Sequence, residues 1–191
     1  MLKLGIDPGR RPLRVVCIGA HSDDLEIGCA GTVLEWLRSG RVLDLTWVVL
    51  SAQRERAVEA RRSARALLRG APSVNLVLGE FTDGHFPVEY RELKAFFESF
   101  KSAAAADVVL THRLDDRHQD HRLAAEVTWQ TFRDQIVLEY EIPKYEGDLA
   151  PPNAYVPLAA GVAQRKVRHL LKHFATQRSN CLLYTSPSPR D

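Results

Sequence analysis

The sequence has little cysteine: its three thiols are Cys17, Cys29 and Cys181, and no two of them form a CxxC pair. This scarcity gives no support for a disulfide framework or for a cysteine-rich zinc site. Two of the three lie inside apolar segments, where cysteine commonly acts as a small hydrophobic residue. We therefore expect a reduced, cytoplasmic setting.

A long apolar run and an excess of charge of one sign are also missing. No stretch reaches the ~18 continuous apolar residues of a membrane span, and residues 1–16 contain no apolar region with a cleavage site. Lys and Arg number 26 against 24 Asp and Glu, too even a balance for a dedicated nucleic-acid binder. We expect a small-molecule partner, no nucleic acid, no membrane span and no export; the oligomeric state stays open.

Strand-like and helix-like segments alternate along the chain. Residues 13–20 (LRVVCIGA) form an apolar, β-branched run that stops at the polar cluster HSDD, and apolar positions then repeat at helical spacing over residues 31–39. Further strands are predicted at 43–51, 74–81, 107–112 and 136–142, and further helices at 54–69, 90–103, 121–133 and 161–177. This order predicts an α/β fold: a Rossmann-like, doubly wound, mainly parallel sheet with helices on both faces.

The length of 191 residues fits one domain that buries roughly two-thirds of its unfolded surface. We assign residues 1–177 to a single, C-terminally truncated domain. Residues 178–191 have no period and no apolar face, and their ending LLYTSPSPRD resembles a translated adapter or vector junction. We therefore expect them to be a non-native tail that does not pack as part of the fold.

Two polar clusters follow predicted strands and contain metal-ligand residue types. His21 and Asp24 are three residues apart after the first strand, and HRLDDRHQDH follows a later one. Catalytic zinc takes three protein ligands from His and carboxylates and leaves a position for water. Each cluster alone also fits an N-cap Asp with a surface His, or a solvated helix start. Because the carboxyl ends of parallel strands share one edge, the two together favour a common site.

The same two clusters carry a family resemblance. The segment VVCIGAHSDDLEIGCAGT resembles the AHPDDExxxGxGGT signature of the PIG-L/LmbE-like N-acetylglucosaminyl deacetylases, and THRLDDRHQDH resembles the HxDH region of that family. The motifs stand in the family's order, and the resemblance extends from about residue 13 to residue 177. It implies a zinc-dependent amidohydrolase that removes an N-acyl group, N-acetyl above all, from an amino sugar or a related small amide.

The resemblance assigns roles only where the motifs match. The implied zinc ligands are His21, Asp24 and His121. Asp23 would be the general base that takes a proton from water, and a cationic His118 would stabilise the oxyanion or protonate the leaving amine. Asp120 would orient an imidazole. Zinc would polarise the carbonyl and lower the pKa of its bound water toward ~7.

The first motif departs from the family pattern at two positions. Ser22 stands where the family usually has Pro, and Leu25 stands where it usually has Glu, with Glu26 next. These differences keep the ligand spacing and are expected to loosen the loop.

Weaker candidates lie between the motifs and after them. By resemblance, Arg56 and Asp83 could bind sugar hydroxyls; alternatively they are an exposed helix charge and a turn residue. We expect His85 and His112 to be loop and strand-end histidines rather than ligands. Lys144 and its neighbours Tyr140, Glu141 and Pro143 are placed at the pocket mouth. The arginines of residues 54–69 are typical of a solvated helix face, with a phosphate or carboxylate contact as the alternative.

Two alternatives to a deacetylase stay open. One is a non-catalytic sugar-binding relative, against which the presence of both Asp23 and His118 argues. The other is a metal hydrolase that acts on a different bond, such as a phosphoester, although two-metal phosphoesterases generally need more bridging carboxylates than this ligand set offers.

Overall fold

The computed structural model describes residue 6, residues 9–144 and residues 146–177, so the expected tail at 178–191 lies outside the described residues. Within them a five-stranded sheet forms from β1 Leu13–His21, β2 Leu43–Ser51, β3 Ser73–Leu78, β4 Val108–Thr111 and β5 Ile136–Glu139. All neighbouring strands are parallel, in the order β3-β2-β1-β4-β5. The predicted doubly wound parallel sheet is confirmed.

Helices cover both faces of the sheet. They are α1 Asp24–Gly28, α2 Ala30–Arg38, α3 Arg54–Leu67, α4 Tyr90–Ala104, α5 Gln119–Thr131 and α6 Ala160–His173. Side chains of β1 alternate between the faces, as the pleat requires. Cys17 packs in one apolar cluster with residues of α2, α3 and α6, whereas Ile18 packs in a second cluster with residues of α4 and α5. The sheet therefore separates two buried cores.

Several elements end earlier than the sequence predicts. The strand predicted to reach residue 81 ends at Leu78, although the Gly79 N–H still donates to the Val49 carbonyl of β2 at 2.8 Å. A Cβ at Gly79 would lie 2.5 Å from the carbonyl oxygen of Leu50, so only glycine fits this close approach. The last predicted helix ends at His173, since the buried Phe174 leaves helical geometry before a 3₁₀ turn.

The strand order creates a crevice between β1 and β4. The chain proceeds from β1 to one side of the sheet through β2 and β3, then returns to build β4 and β5 on the other side. Ligands bind outside the carboxyl ends of the strands at such a switch point. His21 ends β1 there, and His112 directly follows β4. Among the described residues, no helix is long and apolar enough to cross a membrane.

Candidate metal centre

Three ligand-type atoms converge at this crevice. Nδ1 of His21 lies 3.2 Å from Nε2 of His121 and 3.4 Å from Oδ2 of Asp24. The Asp24 oxygen and the His121 nitrogen are 3.5 Å apart. His21 ends β1, Asp24 begins α1, and His121 lies in the first turn of α5, so three different elements bring them together. All three residues are buried.

A second layer of carboxylates orients the two imidazoles. Nε2 of His21 lies 3.1 Å from Oδ2 of Asp120, and Nδ1 of His121 lies 3.1 Å from Oδ2 of Asp116. In the tautomers in which these two nitrogens donate to Asp120 and Asp116, the other nitrogen of each ring directs its lone pair to the common point. Asp120 was expected to orient an imidazole, and the ring beside it is that of His21.

His112 lies against the converging residues from the end of β4. Its Nε2 accepts the Ala20 N–H at 3.0 Å and lies 3.2 Å from Oδ2 of Asp24. The ring is fully buried and stacks on His121, with centroids 4.0 Å apart. Burial and the neighbouring His121 lower the pKa of His112 to about 4, so the ring is neutral. His112 directly follows β4, as expected of a strand-end histidine, and its ligand atom also lies close enough to those of Asp24 and His121 to share a metal ion.

The three converging atoms fit a divalent metal. Zinc with bonds of about 2.0 to 2.2 Å in tetrahedral geometry separates its ligand atoms by about 3.3 to 3.6 Å, close to the three observed separations. Two imidazole lone pairs and a carboxylate oxygen repel one another unless a proton or a metal lies among them. Burial by itself would lower the pKa of His21, but Asp24, Asp120 and Asp83 raise it well above 6.5. The site therefore attracts positive charge.

Asp23 faces the pocket beside Asp24 and differs from it in surroundings. Burial and the charge of Asp24 raise the pKa of Asp23 to about 6. Burial would also raise the pKa of Asp24, but His121, His112 and His21 hold it well below its usual range. Of two adjacent aspartates, one is thus a permanent anion beside two imidazoles and the other is a carboxylate with raised basicity.

Arg56 and Asp83 meet at the entrance to the same pocket. Nη1 of Arg56 lies 2.9 Å from Oδ2 of Asp83, and its Nη2 lies 3.4 Å from Oδ1 of Asp23. Oδ1 of Asp83 is also 3.1 Å from Nε2 of His21. The hydrogen bond from His21, together with the charges of His21 and Arg56, lowers the pKa of Asp83 to about 2. Both side chains line the pocket, and Asp83 contacts both Arg56 and the converging residue His21.

His118 caps the N-terminus of α5 and keeps one nitrogen for the pocket. Its Nδ1 accepts the backbone N–H of Asp120 at 3.2 Å, so Nε2 carries the proton in the neutral ring. Burial and the nearby His121 and His21 lower the pKa of His118. The lowered pKa favours the neutral ring, which has an N–H donor at Nε2, and the cationic His118 of the sequence analysis stays a prediction.

The pocket has a volume of about 360 Å³, within the usual range for small-molecule sites. It is lined by His21, Asp23, Asp24, Ile27, Arg56, Asp83, His118, His121, Ile142, Lys144, Glu146 and Gln177. Every metal-ligand, base and substrate-contact candidate from the sequence lines it, whereas Asp120 lies behind His21. Of the residues expected at the pocket mouth, Lys144 lines the pocket. Tyr140 does not: it is buried, and its hydroxyl donates to the Ile18 carbonyl at 2.6 Å.

Three residues around the site make contacts that the sequence analysis did not predict. Asp116 contacts His121, and Lys144 contacts Asp116. Glu26 is a buried residue of α1 that accepts a hydrogen bond from Ser63 of α3, and burial raises its pKa to about 8. The position of Asp116 two residues before His118 was a usable signal. The residues next to Lys144 and Glu26 in the sequence gave no indication of which side chains these two residues contact.

Comparison with known proteins agrees with this arrangement. A sequence family described as PIG-L, GlcNAc-PI de-N-acetylase, matches residues 16–132, a range that contains the three converging residues together with Asp23, Arg56, Asp83, His118 and Asp120. That range is more than half of the chain.

Solved structures share the fold. A deacetylase from the teicoplanin biosynthesis pathway has a TM-score of 0.70 at 14% identity, over 88% of this chain and 86% of that chain. N,N′-diacetylchitobiose deacetylase from Pyrococcus horikoshii has a TM-score of 0.58 at 17% identity, over 83% and 68%. GalB, the 4-carboxy-2-hydroxymuconate hydratase from Pseudomonas putida, has 0.58 at 15%, over 94% and 92%. Because a hydratase shares the fold with deacetylases, fold alone does not identify the reaction.

Proposed function

The chain belongs to the PIG-L family of GlcNAc-PI de-N-acetylases, and on that premise we propose that it hydrolyses the N-acyl amide, N-acetyl above all, of an amino sugar. The reaction uses a divalent metal, which we propose to be Zn²⁺, held by His21, Asp24 and His121. The products are a free carboxylate and a free amine. The observation that supports this most directly is the triangle of 3.2, 3.4 and 3.5 Å among three lone-pair atoms beside an open pocket.

The metal supplies Lewis acidity toward the amide carbonyl and activates water when it is bound. The protein supplies the proton transfers. Asp23 lines the pocket next to the metal ligand Asp24, so it is placed to take the proton of the attacking water. Asp24 cannot share this role because its Oδ2 accepts the backbone N–H of His21 at 2.7 Å and faces both imidazoles.

His118 stabilises the negative oxygen that develops on the amide carbon. Its Nδ1 is occupied by the Asp120 N–H, which leaves the Nε2–H to donate. A preorganised neutral donor does not have to be charged before substrate arrives. The proton accepted by Asp23 then leaves with the amine nitrogen, because an amide anion is too poor a leaving group to depart without it.

Arg56 and Asp83 hold the sugar. Their ion pair at 2.9 Å offers several N–H donors and carboxylate acceptors at the pocket entrance, the pattern that hydroxyl groups recognise. Asp83 is half-exposed, with 52% of its side-chain surface accessible, so one face of the pair is available to a ligand. We therefore propose a polyhydroxylated substrate.

The test is a paired assay on purified, zinc-loaded protein. We expect amine release from N-acetylglucosamine conjugates, zinc at about one ion per chain, and loss of both in His121→Ala. A matched set of phosphorylated sugars without an N-acyl group tests the phosphoesterase alternative. Zinc binding with no turnover on any N-acyl sugar would favour a non-catalytic binding protein, and phosphate release would favour the other hydrolase.

A further inference from the structure

Lys144 occupies an unusual position for a lysine: it is enclosed between two carboxylates next to the metal centre. Its Nζ lies 3.0 Å from Oδ1 of Asp116 and 2.6 and 2.7 Å from the two oxygens of Asp148. Only 13% of the Lys144 side-chain surface is exposed, with 4% for Asp116 and 7% for Asp148. Lys144 and Asp148 lie after β5, beyond the range matched to the family.

Asp116 connects this lysine to a proposed metal ligand, and its two oxygens have separate partners. Oδ1 accepts the Lys144 ammonium at 3.0 Å and the His118 backbone N–H at 2.8 Å. Oδ2 is left to the Nδ1–H of His121 at 3.1 Å. With Oδ1 held by two donors, the carboxylate cannot turn away from His121, and the Nε2 lone pair of that ring stays aimed at His21 and Asp24.

We propose that Lys144 is a positioning residue of the metal centre, acting through Asp116 to fix the tautomer and the orientation of His121. The inference rests on the metal site of the proposed function. Groups that orient a metal-bound histidine typically change metal affinity by about 10- to 100-fold when they are removed. Lys144 is one contact further out, so its removal should have an effect at the lower end of this range.

The same contacts join the metal centre to the wall of the pocket. Ile142, Lys144 and Glu146 line the pocket from the segment after β5. Two hydrogen bonds to Asp148 anchor that segment to the loop before α5. Oδ2 of Asp148 accepts the backbone N–H of Arg117 at 2.7 Å, and the backbone carbonyl of Asp148 accepts Nη1 of Arg113 at 3.1 Å. Lys144 therefore belongs both to the surface that meets substrate and to the network that orients His121.

The experiment measures the Zn²⁺ dissociation constant of the full chain by competition with a chromophoric chelator. Lys144→Met should weaken zinc binding about tenfold, and Asp116→Asn should weaken it about 10- to 100-fold. Because the lysine acts through the carboxylate, the double variant should bind no more weakly than Asp116→Asn alone. Lys144→Arg keeps the charge and should restore zinc affinity to within about threefold of wild type.

A purely structural role for Lys144 would give a different pattern. It would lower the melting temperature of the metal-free protein without changing the zinc dissociation constant, and this result would overturn the inference. Additive losses in the double variant would do the same. Lys101→Met, at an exposed position of α4, is the matched control and should leave zinc affinity unchanged. If Lys144→Met does not fold, Lys144→Gln serves in the same cycle.

The two proposals fail in distinguishable ways. If His121→Ala binds zinc as tightly as wild type, the metal assignment itself is wrong. If His121→Ala loses zinc while Lys144→Met and Asp116→Asn both keep it, the metal site stands and only the positioning role is rejected.

Discussion

The Asp120 carboxylate lies on the opposite side of the His21 ring from the proposed metal site, with Oδ2 3.1 Å from Nε2. That same carboxylate is fixed by two backbone donors, the N–H of Gly84 at 2.6 Å and the N–H of Phe86 at 3.2 Å. Asp120 itself is fully buried. The loop before α4 thus holds, through one carboxylate, the tautomer of His21 that directs Nδ1 toward Asp24 and His121.

We predict that Asp120→Asn weakens zinc binding by about 10- to 100-fold, because an amide NH₂ group cannot accept both the ring proton and the backbone N–H groups. Chelator competition gives the dissociation constant. Asp134→Asn, at an exposed position, is the matched control. Equal zinc affinity in the two variants would mean that Asp120 does not orient the ligand.

For Asp23→Asn we predict that zinc is retained while kcat falls by about 10²- to 10⁴-fold, since the amide cannot accept the proton of water. Metal content is measured on the same sample as turnover. Asp24→Asn is the contrasting variant, and it should lose the metal. Turnover near wild type in Asp23→Asn with a full complement of zinc would reject the role of general base.

Arg56→Met is expected to act mainly on substrate binding. Removing the guanidinium breaks the 2.9 Å contact with Asp83 and removes donors from the pocket entrance, so KM for an N-acetyl sugar should rise about tenfold or more. Hydrolysis of a small N-acyl amide without a sugar should change much less. A similar loss on both substrates would show that Arg56 acts on the chemical step through Asp23 instead.

The meeting of the two candidate ligands His21 and His121 could be predicted because the polar clusters that contain them follow strand ends. An apolar run that stops at HSDD marks the carboxyl end of β1, and parallel strands bring such ends to one edge. His21 and His121, 100 residues apart, meet for this reason. The boundaries were less accurate: the strand predicted to reach residue 142 ends at Glu139, since periodicity does not specify where ladder hydrogen bonds stop.

The outer contacts of the site could not be predicted from the pattern. In LDDRHQDH, nothing in the spacing tells which aspartate faces which imidazole, and the structure directs Asp116 to His121 and Asp120 to His21. Glu26 was noted only as a displaced motif residue. It is buried because it faces α3, where Ser63 meets it. Such pairings depend on how helices dock, which one sequence does not reveal.

Asp107 provides a prediction on stability and pH. It precedes β4 and accepts hydrogen bonds from Arg11 at 2.8 Å and from the Arg14 backbone N–H at 3.0 Å. The bond from Arg11 first, and then those from Arg14, lower its pKa below the usual range. A carboxyl whose pKa is lower in the folded than in the unfolded state stabilises the fold above its unfolded pKa of ~3.9 and loses this effect as the pH falls toward its folded pKa.

Asp107→Asn should therefore lower the melting temperature by a few degrees near neutral pH, and the difference from wild type should shrink once the pH falls below ~3.9. Thermal unfolding monitored by circular dichroism across this range measures it. Asp134→Asn should follow the wild-type curve throughout. A difference that stays constant at acid pH would show that the contribution of Asp107 is independent of its charge.

The closest packing around α1 gives the last prediction. A Cβ added at Gly28, the end of α1, would lie 2.1 Å from Cδ2 of Tyr140, whose buried ring is tethered by its hydroxyl to the Ile18 carbonyl. Overpacking of this kind lowers the free energy of unfolding by about 1 to 3 kcal/mol, and Gly28→Ala should do so in urea denaturation. Gly70→Ala is the control, because a Cβ added at Gly70 would have no contact within 4 Å. If the clash is with the ring, the loss should be smaller in a Tyr140→Leu background. An equal loss in both backgrounds would assign the effect to the backbone of α1 instead.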